Sequence, residues 1–159
     1  MSEPPEWLPP VLLLSDCDGD AHRFLSKAYG IFYRDFRISR PKFAGRPVVY
    51  DNTMSEGKEE AFWHIISAED PMRGERIVDP RRCERIAWVR PILEHPDDPR
   101  VSLWRNRRGT HVRVLLWLET LDYLVVLDEW PNRYALITAY CTDYESTRRK
   151  LRKDRQGAH

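Results

Sequence analysis

The chain has 159 residues, a formal net charge of +1, 42% hydrophobic residues and six tryptophans, enough apolar content to bury one sizeable core, and it reads as a single domain over 1–159. No apolar run approaches the roughly 18 residues of a membrane helix, and "PVLLLSD" lacks the basic flank and cleavage site of a signal peptide, so a soluble cytoplasmic protein is expected. Cys17, Cys83 and Cys141 are odd in number and far apart with no Cys-x-x-Cys pair, which argues for reduced thiols and against a disulfide framework or a zinc site.

In chain order, residues 1–15 hold four prolines and read as an irregular surface segment. Phe24, Leu25, Ala28, Ile31 and Phe32 recur at helical spacing, so a helix is expected over about 20–35 with Asp18 or Asp20 as cap. "RPVVYDN" (46–52) and "AFWHIIS" (61–67) read as two strands that can form a hairpin across the loop at Gly57. Asp79 and Pro80 open a helix over 79–93 whose apolar face is Ile86, Val89 and Leu93. "VSLWR", "VRVLLWLE", "DYLVVLDEW" and "YALITAYC" follow as strands joined by tight turns, an antiparallel meander. A basic helix and tail over 143–159, capped by Thr142 or Asp143, ends the chain.

The small net charge hides segregation. "RRKLRKDR" (148–155), which includes Arg148, Arg149 and Lys150, has six basic residues and one acid, and "WRNRRGTHVR" (104–113) contributes Arg105, Arg107, Arg108 and Arg113 around a turn. Either run alone is usually a solvated face; two together suit a polyanion, because phosphate binding relies on clustered Lys and Arg.

In a regular strand over 134–141, Tyr134, Leu136, Thr138 and Tyr140 share one face, and in a strand over 62–67 Phe62, His64 and Ile66 do the same. A fold that set His64 opposite Thr138 and Tyr140 would gather an imidazole, a hydroxyl and a phenol, with Arg82 or Arg85 adding a cation. Imidazole moves protons near neutral pH, arginine grips phosphate through a planar fork, and hydroxyl donors stabilise the charge that builds in a phosphorane. Trp104 and Tyr134 offer rings on which single-stranded bases would stack. Each residue also has a plainer reading: a histidine packed in the core, strand-forming Thr and Tyr, arginine stems laid along the core.

The order helix, strand pair, helix, meander, together with "FWHIIS", "RRCERIAW" and "ITAY", resembles over about 40–145 the phage- and prophage-associated endoribonucleases of the barnase, EndoU, colicin and RelE-like (BECR) superfamily. The resemblance implies an α+β fold with helices packed on a curved antiparallel sheet and metal-independent RNA cleavage without a cofactor. It further implies His64, an arginine of "RRCER" (Arg85 or Arg82), Thr138 and Tyr140 at the site, RNA (tRNA among the candidates) as substrate, and a cognate inhibitor protein as partner. A second catalytic histidine is not evident, since His111 sits near a turn. Two rivals remain. "VLLLSDCDGD" is similar to the nucleophile loop of haloacid dehalogenase phosphatases, with Asp16 as nucleophile and Asp18 handling the proton, but that fold needs a parallel sheet. A nucleic-acid-binding phage protein would need the basic runs and no His64.

Overall fold

The computed structural model describes residues 3–158. Its main sheet has six strands and is curved and mixed, with helices flanking it, so the fold is α+β. Strands β7 (Ser102–Arg108), β8 (His111–Leu118), β9 (Tyr123–Glu129) and β10 (Tyr134–Cys141) form the expected antiparallel meander. The β7–β8 turn places Gly109 at φ 63°, a backbone conformation that a side chain would strain. At the other edge, β2 (Arg46–Val49) pairs antiparallel with β1 (Lys42–Phe43) and parallel with β10, through Val48 opposite Tyr134 and Val49 opposite Ala135.

Residues 114–118 and 123–127 are buried without a break, because this sheet is covered on both faces. Val114, Leu116, Leu118, Tyr123, Val125 and Leu127 join the main core, while Leu115, Trp117, Leu124 and Val126 form a second, smaller one with Trp104 and Leu151. The main core is roofed by α1 (Ala21–Phe32), which runs on as a π-helical stretch Tyr33–Ile38, and by the segments that follow β2. Asp20 caps α1 by accepting from His22 N and Arg23 N. The opposite face is covered by α5 (Glu145–Gln156), which contributes Leu151. Its start lies beyond Thr142, whose hydroxyl instead accepts the Trp117 Nε1 proton at 2.9 Å. Among the described residues no helix is long and apolar enough to cross a membrane.

Three expectations change. The 61–67 strand is a helix, α2 (Glu60–Ile66), preceded by a minimal hairpin of β3 (Met54–Ser55) and β4 (Lys58–Glu59) and followed by the β5 (Ser67–Asp70) and β6 (Glu75–Val78) hairpin. Ala61, Phe62, Ile65 and Ile66 are buried while Trp63 and His64 are half-buried, the spacing of one helical face rather than of alternation. The 79–93 helix is broken into α3 (Pro80–Glu84), a 3₁₀ turn Ile86–Trp88 and α4 (Val89–Glu94), since Pro91 cannot donate to the turn before it and fits only near a helix start. In β10 a bulge between Leu136 and Thr138 resets the alternation, so Tyr134, Leu136, Ala139 and Cys141 pack with the main core and Ile137 and Tyr140 with the smaller one.

Candidate functional site

Beyond Ala135, β10 has no strand beside it on the β2 side, and the C-terminal turn of α2 packs there. That turn leaves carbonyls without intrahelical partners, and long polar side chains satisfy them. Arg82 Nη1 donates to Ser67 O at 2.5 Å and to His64 O at 3.4 Å; Arg76 Nη2 donates to the same two oxygens at 2.6 and 3.4 Å, and Thr138 Oγ1 to His64 O at 3.3 Å. Two guanidiniums and a hydroxyl thus fix the backbone of the residue whose ring concerns us. The cations also oppose the partial negative charge of the helix end.

His64 lines a depression of about 500 Å³ shared with Asp51, Glu69, Arg76, Arg82, Thr138 and Tyr140. His64 is half-buried, at the end of a short helix rather than sealed among apolar side chains. Asp51 accepts from the Thr53 side chain and backbone, and these bonds, with His64 nearby, hold its carboxyl below the usual range. The Arg82 guanidinium lies 5.6 Å from the centre of the Tyr140 ring. Burial raises the pKa of the Tyr140 phenol, with Arg82, Arg108 and Arg113 pulling the other way, so the phenol is a proton donor through the neutral range.

Thr138 and Tyr140 also line a second depression, on the α5 side, with Arg108, Arg113 and Lys150. That one shares Asn106, Lys150 and Asp154 with a groove of about 850 Å³ between the β7–β8 hairpin and α5, where Arg105, Arg107 and Lys153 stand. Through these shared residues the three depressions follow one another across the sheet from β10 toward β7, three strand spacings or about 14 Å, with Arg or Lys lining each. Asp154 fixes the groove wall by accepting from Trp104 Nε1 at 2.7 Å and Asn106 Nδ2 at 2.8 Å.

The structure therefore brings His64, Arg82, Thr138 and Tyr140 together, and sets Arg105, Arg107, Arg108 and Lys150 along the adjoining depressions. Arg105 is partly neutralised by Glu129 at 2.8 Å. Other expected residues fall elsewhere. Arg85 pairs with Glu84 at 2.8 Å, donates to Arg81 O and lies over the Trp88 ring, outside the depression. Tyr134 is 1% exposed with its ring edge-on to Phe43, and Trp104 is buried against Trp117, so neither is open to a base. Arg148 is held by Asp122 and Glu119 over the Trp117 ring, and Arg149 is exposed on α5 but lines none of these depressions. His111 is exposed at the hairpin end beside Trp130. Asp16 and Asp20 bond the backbone at Leu13 and at His22 and Arg23, and Asp18 pairs with Arg23, which is turn and cap chemistry at the surface and no nucleophile loop above a parallel sheet.

Arg76, Asp51 and Lys153 were not anticipated. Lys153 lies in the basic tail and was within reach of sequence reasoning. Arg76 and Asp51 sit on a hairpin and a loop whose positions depend on the α2 helix, so no local signal marks them. Comparison of the chain with protein-family models, with curated proteins and with solved structures returned no match.

Proposed function

We propose that this chain is a metal-independent endoribonuclease, acting in the cytoplasm, that cleaves RNA by attack of a 2′-hydroxyl on the adjacent phosphorus. The observation that carries this reading is the shared depression of His64, Tyr140, Arg76 and Arg82, with Thr138 and Tyr140 also lining the neighbouring depression that holds Arg108, Arg113 and Lys150. RNA would lie along these depressions with its phosphates toward Arg107, Arg108, Lys150 and Lys153 and its scissile phosphate beside His64. The neutral His64 imidazole takes the 2′-hydroxyl proton as the O2′–P bond forms. The P–O5′ bond breaks and the departing oxygen receives the Tyr140 phenol proton, leaving a 2′,3′-cyclic phosphate and a 5′-hydroxyl. His64 then returns its proton to solvent, and Tyr140 regains one.

Arg76 and Arg82, which line the same depression, offset the charge that grows on the phosphorane. Thr138 acts through position, since its hydroxyl proton is directed at His64 O. The plainer reading, an RNA-binding protein without catalysis, draws on the fact that Arg76, Arg82 and Thr138 already have backbone partners. The deciding experiment incubates purified chain with RNA in excess chelator and maps the new ends. Cyclic-phosphate products, no cutting of DNA, and a loss of about 10²-fold or more in His64→Ala with RNA affinity retained are expected. A magnesium requirement, or full activity in His64→Ala, would reject the mechanism; tight binding with no cutting would establish the binder.

A further inference from the structure

Arg37, Arg40, Tyr50, Asn52, Met54 and Glu59 line a pocket of about 350 Å³ that shares no residue with the His64 depression. That is near the low end of ligand-pocket volumes, room for one small molecule. Its chemistry is set by Glu59, which is 1% exposed. One carboxylate oxygen, Oε1, accepts from Tyr29 OH at 2.5 Å, and burial and this bond push the Tyr29 phenol up to about 12, so it stays a donor through the neutral range. The other oxygen, Oε2, is buried with no hydrogen-bond partner. No ion pair reaches Glu59 among the described residues; the adjacent Lys58 sits instead over the Tyr29 and Trp63 rings, 5.3 and 5.8 Å from their centres. A buried carboxylate with one oxygen unmet is costly to a fold, and a bound cation bringing N–H donors relieves it.

The rest of the pocket carries the opposite sign. Arg37 and Arg40 are exposed at its wall with no ion pair among the described residues. Burial and the Glu59 charge raise the Tyr50 phenol above its ordinary value while Arg37 and Arg40 pull it down, so the carboxylate and both guanidiniums act on the same hydroxyl. A simple cation in this pocket would meet two arginines, and a simple anion would meet Glu59. A ligand that carries both charges a few bonds apart escapes both penalties.

We propose that this pocket binds a free α-amino acid, its ammonium donating to Glu59 Oε2 and its carboxylate held by Arg37 and Arg40. An ammonium brings three donors, and guanidinium forks suit the two oxygens of a carboxylate. Tyr50, anchored edge-on against Phe32 and Phe36, adds an aromatic wall that favours a cation, and Met54, 53% exposed, offers adaptable apolar surface to the amino acid's side chain. The site needs neither His64 nor RNA, so it stands apart from the nuclease reading. Its position still matters to that reading. Tyr50 and Asn52 flank Asp51, which lines the His64 depression, and Glu59 immediately precedes α2, so a bound amino acid braces two segments that build the depression.

The test screens the genetically encoded L-amino acids one at a time against the intact chain, by thermal shift and calorimetry. The tightest is then compared with analogues lacking one charge; for leucine these are isocaproate and isoamylamine. At least one amino acid should raise Tm with saturable one-to-one binding, and loss of either charged group should weaken it at least about tenfold. Glu59→Gln should weaken the amino acid at least about tenfold without weakening the deaminated analogue. Arg40→Ala, at an exposed position that tolerates truncation, should weaken the amino acid several-fold without weakening the decarboxylated one. The assignment is overturned if no amino acid binds, if either analogue binds as tightly as the amino acid itself, or if Arg40→Ala leaves the affinity unchanged.

Discussion

Helix α5 carries cations on two sides, and they serve different ends. Arg148, Arg152 and Arg155, spaced one turn apart, turn inward onto Glu119, with Arg148 also meeting Asp122, and Arg148 and Arg155 cover the Trp117 ring. Lys150 and Lys153 are exposed in the groove with no ion pair among the described residues. The first set helps to hold the helix on the sheet; the second is the one that the proposed RNA path would use. The same division recurs at α2, where Arg82 is bound to backbone carbonyls and Arg108, on the neighbouring depression, has no ion pair among the described residues. Counting basic residues in a run cannot separate the two sets, because what separates them is the acids and carbonyls that other parts of the chain bring to meet them.

The division breaks most visibly at Arg82. Arg82→Met should cost about 2–3 kcal/mol, since the guanidinium is largely buried and its loss removes donors from Ser67 O and His64 O. For a chain of this size that is a fall in Tm of roughly 5–10 °C, measurable by calorimetry or urea unfolding. Cleavage should fall as well, because His64 loses a support. A variant within about 0.5 kcal/mol of the parent would mean that Arg82 is a free cation after all.

Glu119→Gln comes next, at about 1 kcal/mol near pH 7, given that its arginine partners are partly screened by solvent. Burial alone would raise the Glu119 pKa, but the Arg155 and Arg152 hydrogen bonds outweigh it and lower the value on folding. A carboxylate whose pKa falls on folding contributes stability that is present above its unfolded pKa, about 4.3, and is lost as pH drops through the folded value. The parent should therefore lose its advantage over Glu119→Gln as pH falls below about 4.3. A difference between the two that stayed constant from pH 7 to pH 3 would dispose of the ion-pair account.

How much of this was legible in the chain depends on whether a segment's neighbours lie close in sequence. The meander was, because each of its runs is apolar, bounded by turn residues and paired with the next. The fold at 61–67 was not: a seven-residue run rich in aromatic and β-branched residues reads equally as strand or buried helix, and the clue was the spacing of Ala61, Phe62, Ile65 and Ile66. His64 nevertheless reaches Thr138 and Tyr140, by packing a helix end against the free edge of β10 and not by facing them across a hairpin. The bulge at Ile137 has no glycine to announce it, and it is what sends Tyr134 into the core while Tyr140 stays at the site. In the "RRCER" segment, Arg82 and Arg85 could not be ranked until the break after Glu84 fixed which one turned toward β10.

The smallest changes to stability are expected where cations are uncommitted. Lys150→Ala with Lys153→Ala should leave unfolding free energy within about 0.5 kcal/mol of the parent. The logarithm of RNA affinity should then fall less steeply with the logarithm of salt, by about 0.7 for each phosphate contact removed. An unchanged salt slope would take the groove out of the RNA path.

Arg85→Ala sharpens the comparison from the other side, and its expected effect on cleavage is the smallest of all. Arg85 has the residue type and the sequence neighbourhood of a phosphate ligand, yet its guanidinium is bonded to Glu84 and Arg81 O and lies 5.3 Å from the centre of the Trp88 ring. Removing it should change the cleavage rate by less than about twofold, or about 0.4 kcal/mol, because no atom in the His64 depression depends on it. The loss in stability should stay near that of a partly exposed ion pair, about 0.2–1 kcal/mol. Single-turnover rates on one RNA, measured beside His64→Ala, would decide. A loss for Arg85→Ala approaching that of His64→Ala would show that α3 turns Arg85 toward the RNA once substrate is bound, and would move the phosphate-binding role from Arg76 to Arg85.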